Sequence, residues 1–154
     1  MRNRFTGSRF FLLLLVVLAT GTSPLCAAEE QLWGSLLLAT NQPLTDPIPE
    51  ELLPYQTQLT KIFGYRYFKA LGQSTRRFKD SSEQWLIPGK RFSVRTFVQP
   101  TSDSNYKVAL QLFQNKKELV QTVAKLGPDS PLFIRGPLYG NGQLIIVVMV
   151  KPAD

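Results

Sequence analysis

Between Tyr65 and Arg95 the chain concentrates cations among aromatic rings. Arg66, Lys69, Arg76, Arg77, Lys79, Lys90, Arg91 and Arg95 are interleaved with Tyr65, Tyr67, Phe68, Phe78 and Trp85. Guanidinium and ammonium groups beside ring faces bind carboxylated or phosphorylated polymers by charge and stacking. Arg66, Lys69, Arg76, Arg77, Lys79, Arg91, Arg95, Tyr67 and Trp85 are therefore the candidate ligand-binding residues. The plainer reading of the same residues is a solvated outer face, with edge-strand cations that discourage aggregation.

Other chemistries fall away on residue type. The 154 residues contain no His and one Cys, Cys26. Ser–His–Asp triads and histidine general bases are excluded, as are zinc, copper or haem sites that depend on imidazole or thiolate. Ser104 and Lys107 match S-x-x-K, but that motif works on one helix face. In the strand expected here they would point to opposite sides. Glu50 and Glu51 suit the positive start of a helix, and Asp80, Glu83, Asp103 and Asp129 lie in turn-like stretches, so paired-carboxylate catalysis finds no support. No run of acids is dense enough for a calcium loop. "GPLYGNGQLIIVVMVK", from Gly136, lacks both the third glycine and the helix start that a phosphate loop needs. Asn141-Gly142 reads as a hairpin turn instead. Neither an enzyme nor a cofactor is expected.

The N-terminus reads as an export signal. Arg2, Arg4 and Arg9 precede the apolar run Phe10 to Ala19, and Cys26 and Ala28 are small residues suited to cleavage after Ala28. The run is too short for a membrane span, which takes about 20 residues. Cys26 follows Ser23, Pro24 and Leu25, a poor lipidation context, so no lipid anchor is expected. Residues 29–154 would then form one domain in the periplasm or outside the cell, without disulfides or a transmembrane span. Loss of residues 1–28 removes three basic and no acidic residues, and net charge falls from +7 to +4. That charge supports solubility and a bias toward anionic surfaces rather than nucleic-acid binding.

The elements that must position the candidate residues are mostly strands. Gln31 to Thr40 reads as the first. An amphipathic helix over 51–63 would bury Leu52, Leu59, Ile62 and Phe63 with Tyr55 nearby, tolerate Pro54 in its first turn, and stop at Gly64. "YRYFKALGQS" alternates as a strand; "STRRFKDSSE" is polar and turn-like. "QWLI", "RFSVRTFV" and "YKVALQLF" follow as strands, the last with Tyr106, Val108, Leu110 and Leu112 inward. Residues 115–127 fit either a helix capped by Asn115 and Gly127 or a strand returning through a turn at 114–117. The tight connection to a clear strand favours the hairpin. Pro137 predicts that the next strand ends or bulges at Gly136. Leu144 to Val150 is apolar on both faces and must be covered on both sides, with the first strand as its neighbour. The expected fold is α+β: a mainly antiparallel sandwich or partly open barrel of six to eight strands with one helix.

"LGPDSPLFIRGPLYGNGQLIIVVMV" together with "FGYRYFKALGQS" resembles uncharacterised exported bacterial proteins. In these a short helix ends in FGY, and a C-terminal hairpin reads PL-x-I-x-GP followed by G-x-L-I. The resemblance implies a single exported domain and brings no activity or site. The expected function is non-enzymatic contact with an envelope or extracellular protein. The alternative is binding of anionic glycan or lipid headgroups through the basic and aromatic strand surface.

Overall fold

A computed structural model of the chain describes residues 30–78 and 81–152. The expected export segment, with Cys26, and the candidate residue Lys79 lie outside the described residues. Eight antiparallel strands form two four-stranded sheets: β1 (Glu30–Thr40), β2 (Tyr67–Phe78), β3 (Ser82–Ile87), β4 (Phe92–Pro100), β5 (Tyr106–Gln114), β6 (Lys117–Leu126), β7 (Leu132–Tyr139) and β8 (Gly142–Pro152). The first sheet has the order β2-β1-β8-β7 and the second β3-β4-β5-β6. The second is thus an uninterrupted meander inserted between two antiparallel strand pairs of the first, β1–β2 and β7–β8. The expected α+β sandwich is the observed fold.

β8 decides the layering. Leu144, Ile146, Val148 and Val150 face the second sheet and pack with Val94, Val98, Val108, Leu110 and Leu112. Ile145, Val147 and Met149 face the opposite way, into a second core with Trp33, Leu37, Leu52, Leu59 and Phe63. The first sheet is therefore covered on both sides, by its partner sheet and by the helical segment. Burying each aliphatic side chain stabilises by about 1.5–3 kcal/mol, which is why an all-apolar strand settles in the middle of a three-layer stack.

The helical segment is a 3₁₀ turn, Glu50–Tyr55, followed by α1, Gln56–Phe63. Pro54 lacks an N–H donor and lies inside the 3₁₀ part. Gly64 ends α1 with φ 79°. Leu52, Leu59 and Phe63 are buried as expected, but Ile62 is 47% exposed. The helix has only two turns, and the buried strip runs through 52, 55, 59 and 63, leaving Ile62 on its margin.

Three further local expectations are revised. The polar stretch after Ser74 is not a turn; β2 continues to Phe78, paired residue for residue with β1 as far as Glu30. The partner's length, not local composition, sets how far the edge strand runs. Leu71 is skipped in that ladder, since Leu36 pairs with Gly72 and Leu37 with Ala70, so the simple alternation read from Tyr65 breaks there. The last hairpin turns at Gly140-Asn141, one residue earlier than expected: Gly140 has φ 57°, and Asn141 is not left-handed. This is the glycine-first form of the two-residue hairpin. Gly142 is needed for space instead, since a Cβ there would lie 2.2 Å from the Ala39 carbonyl oxygen.

The bulge expected near Pro137 is present, as a register shift between Arg135 and Leu138. The Gly136 carbonyl freed by it accepts a hydrogen bond from Gln143 Nε2 at 3.1 Å, and Gln143 Oε1 accepts one from Arg135 at 2.8 Å. At the opposite end of the sandwich Tyr106 donates its phenol proton to Glu30, linking β5 to the start of β1. Burial first, and then Glu30, raises the Tyr106 pKa from 10.0 to about 12.

Candidate functional site

Strand register sorts the candidate residues. On β4, Phe92, Val94, Thr96 and Val98 are buried between the sheets, which turns Ser93, Arg95 and Phe97 outward. Arg95 pairs with Trp85 on β3 and with Gln111 on β5, while Ser93 pairs with Phe113. Trp85, Arg95 and Phe113 therefore meet on the outer face of the second sheet. Among the described residues no helix covers that face, and Trp85 is 46% exposed.

Their geometry is well defined. Trp85 and Phe113 meet edge-on, with centroids 5.6 Å apart. The Arg95 guanidinium lies 5.7 Å from the Trp85 ring centre and 5.6 Å from that of Phe113. It is held there by Gln111 Oε1, which accepts from Arg95 Nε at 2.9 Å, and by Glu83, 3.1 Å from its terminal nitrogen. Arg95 is thus oriented and partly neutralised. Its guanidinium contacts both rings.

Two turns build walls beside this cluster. The first, at residues 88–91, follows the Pro88-Gly89 pair. A Cβ at Gly89 would lie 2.0 Å from the Phe92 carbonyl oxygen, so only glycine permits this path. The second is the β5–β6 hairpin, whose two central residues, Asn115 and Lys116, have φ 48° and 71°. This doubly left-handed turn matches the strand twist. The hairpin reading of 115–127 is thus the observed one. The Asn115 amide donates to the Arg91 carbonyl at 3.0 Å and ties the two walls together. Between them lies a groove of about 640 Å³, lined by Trp85, Pro88, Lys90, Arg95, Phe113 and Lys116 among others. Lys90 and Lys116 are exposed, and neither has an ion-pair partner among the described residues.

The eight candidate residues that the structure describes do not form one face. Trp85 and Arg95 share the groove. Arg91 stands beside it, over the Tyr139 ring at 5.0 Å. Arg76 approaches only from the edge of the first sheet, donating to the Trp85 carbonyl at 3.4 Å. Arg77, its neighbour in sequence, points to the opposite side of β2. Arg66, Tyr67 and Lys69 belong to the far end of β2, where the Arg66 amide donates to Asn41 and Lys69 pairs with Asp46. Phe68 and Phe78 are core residues. Conversely, Phe113 and Lys116 belong to the groove and were not among the candidates. The alternation that turned Leu110 and Leu112 inward already placed an aromatic ring, Phe113, on the polar face. That was the signal available.

Among the described residues there is no group of three His, Cys, Asp or Glu side chains that could hold a metal ion, and no helix long and apolar enough to cross a membrane. The chain matches no protein-family model, no curated protein and no solved structure.

Proposed function

We propose that this chain is an exported, non-enzymatic binding domain that takes an anionic ligand in the groove between Trp85, Phe113, Lys90 and Lys116. The carrying observation is the exposed, pre-oriented Trp85–Arg95–Phe113 cluster beside two ammonium groups without acidic partners among the described residues. Binding sites combine an apolar floor with a few convergent polar groups, and this groove has that make-up. Holding the rings in place before the ligand arrives lowers the entropic cost of binding.

A protein partner was expected on the ground that apolar strands need cover on both faces. α1 and the second sheet supply that cover within the chain, so the groove gives the anionic-ligand reading the stronger support. The test is retention of the purified protein on a heparin matrix. The proposal expects retention that weakens with salt and is lost in a Trp85→Ala/Lys90→Ala variant. It also expects Arg76→Ala/Arg77→Ala, outside the groove, to change retention little. Retention equal in all three proteins would refute the groove as the site.

A further inference from the structure

The groove does not stop at Arg95. Along the same outer face a smaller recess of about 130 Å³ shares Arg95 and is lined by Phe97, Gln111 and Gln121. A third, of about 360 Å³, is lined by Lys107, Val123 and Lys125 together with Asp103, which pairs with Lys125. Register explains the series: Arg95 pairs with Gln111 and Gln111 with Gln121, while Phe97 pairs with Ala109 and Ala109 with Val123. Lys107 pairs with Lys125 beyond them. Successive outward positions of the meander thus form one track, from the Lys90 and Lys116 turns past Trp85, Arg95 and Phe97 to Lys107. From Phe113 to Lys107 along β5 the track spans roughly 20 Å, at about 3.3 Å per residue.

We infer that this track binds an acidic polysaccharide lengthwise, over several sugar units. The inference rests on the anionic-ligand reading above and adds to it the class and length of the ligand. Aromatic side chains, Trp85 and Phe97 (46% and 40% exposed), alternate with cations along the path. A bare phosphate or carboxylate has no use for rings, whereas the C–H face of a pyranose packs on them. The cations of the track without acidic partners among the described residues, Lys90, Lys116 and Lys107, lie at the two ends rather than in a continuous row. Between them are Gln111 and Gln121, with Glu83 and Glu118 on Arg95 and Gln111 respectively. Amides and carboxylates suit sugar hydroxyls. They disfavour a nucleic acid strand, which carries a charge on every nucleotide. A lipid surface needs an apolar protrusion among the cations; the most exposed large hydrophobic, Leu138, belongs to the first sheet, and those of the track, Val123, Trp85 and Phe97, lie within strands rather than on a protruding loop.

The test is titration of the full-length protein, read through Trp85 fluorescence. The probes are polygalacturonate, its dimer, its methyl-esterified form, oligothymidylate and inorganic phosphate. The inference expects polygalacturonate to bind at least about tenfold more tightly than the dimer, and esterification to abolish binding. Trp85→Ala, followed by calorimetry, should weaken both long and short chains about tenfold, the scale of one aromatic stacking contact. Lys107→Ala should weaken the long chain about two- to fivefold, the scale of one exposed charge, and leave the dimer unchanged. Equal affinity for dimer and polymer, or a Lys107→Ala effect on both, overturns the lengthwise track. Tighter binding of oligothymidylate overturns the polysaccharide class. Phosphate or dimer binding in the groove without polymer preference would do the same, yet leave the anionic groove standing. No binding of any anion removes both.

Discussion

The two tryptophans occupy equivalent layers of the two sheets and have opposite fates. Trp33 lies on the outer face of the first sheet, with the Lys151 ammonium 5.5 Å from its ring centre, under the helical segment; it is 2% exposed. Trp85 lies on the outer face of the second sheet, with Arg95 at 5.7 Å and no helix of the described residues over it, and is 46% exposed. Each indole has a cation over it, so cation–π contact does not separate structure from function here. Cover does. The closed face contributes to folding stability, and the bare face is available to a ligand.

The largest effect expected from breaking this contrast is on stability. Trp33→Ala should cost about 3–5 kcal/mol in denaturant unfolding, and Leu59→Ala, which removes part of the cover, about 2–5 kcal/mol. Trp85→Ala should cost well under 1 kcal/mol, as an exposed substitution away from the core, while weakening anion binding about tenfold. A Trp85→Ala variant that unfolds as readily as Trp33→Ala would erase the distinction.

Gly89→Ala should damage the open face selectively. The added methyl meets backbone, so the turn at residues 88–91 must move, and ligand affinity should fall more than thermal stability. Calorimetric melting and titration of the same sample would separate the two.

A smaller effect should have opposite signs in the two measurements. Lys116 sits at φ 71°, where a β-carbon costs roughly 1–2 kcal/mol. Lys116→Gly relieves that strain and is expected to raise stability by about 0.5–1 kcal/mol, after allowing for the freer unfolded chain. It should also weaken anion binding. Lower stability, or unchanged binding, would show that the lysine serves the turn alone.

The smallest test concerns the interior between the sheets. With its pKa raised to about 12, Tyr106 favours the folded state while it is protonated. Its contribution is full below pH 10, where the unfolded phenol titrates, and is lost as pH rises toward 12. Tyr106→Phe should flatten this alkaline decline in a pH series of melting temperatures and leave ligand binding at neutral pH unchanged.

Much of the fold was legible because period-2 alternation is written directly into residue type. β4 and β5 show it, and β8, apolar on both faces, announced a middle layer. Edge strands were less legible. β2 from Thr75 to Arg77 is polar and exposed on both sides, and only its pairing with β1 makes it a strand. The candidate site was legible in composition but not in membership. Arg76 and Arg77 are neighbours in sequence and point to opposite sides; Arg95 and Phe113 are 18 positions apart and lie on the same two rings' worth of surface.

By itself the sequence determined the residue types available, with no imidazole and strands that had to stack in layers, because hydrophobic burial and side-chain alternation act at short range. Tertiary structure alone decided the layering: among the described residues the helical segment packs on the outer face of the first sheet, and no helix packs on that of the second. Strand register then determined which rings and cations share that open face.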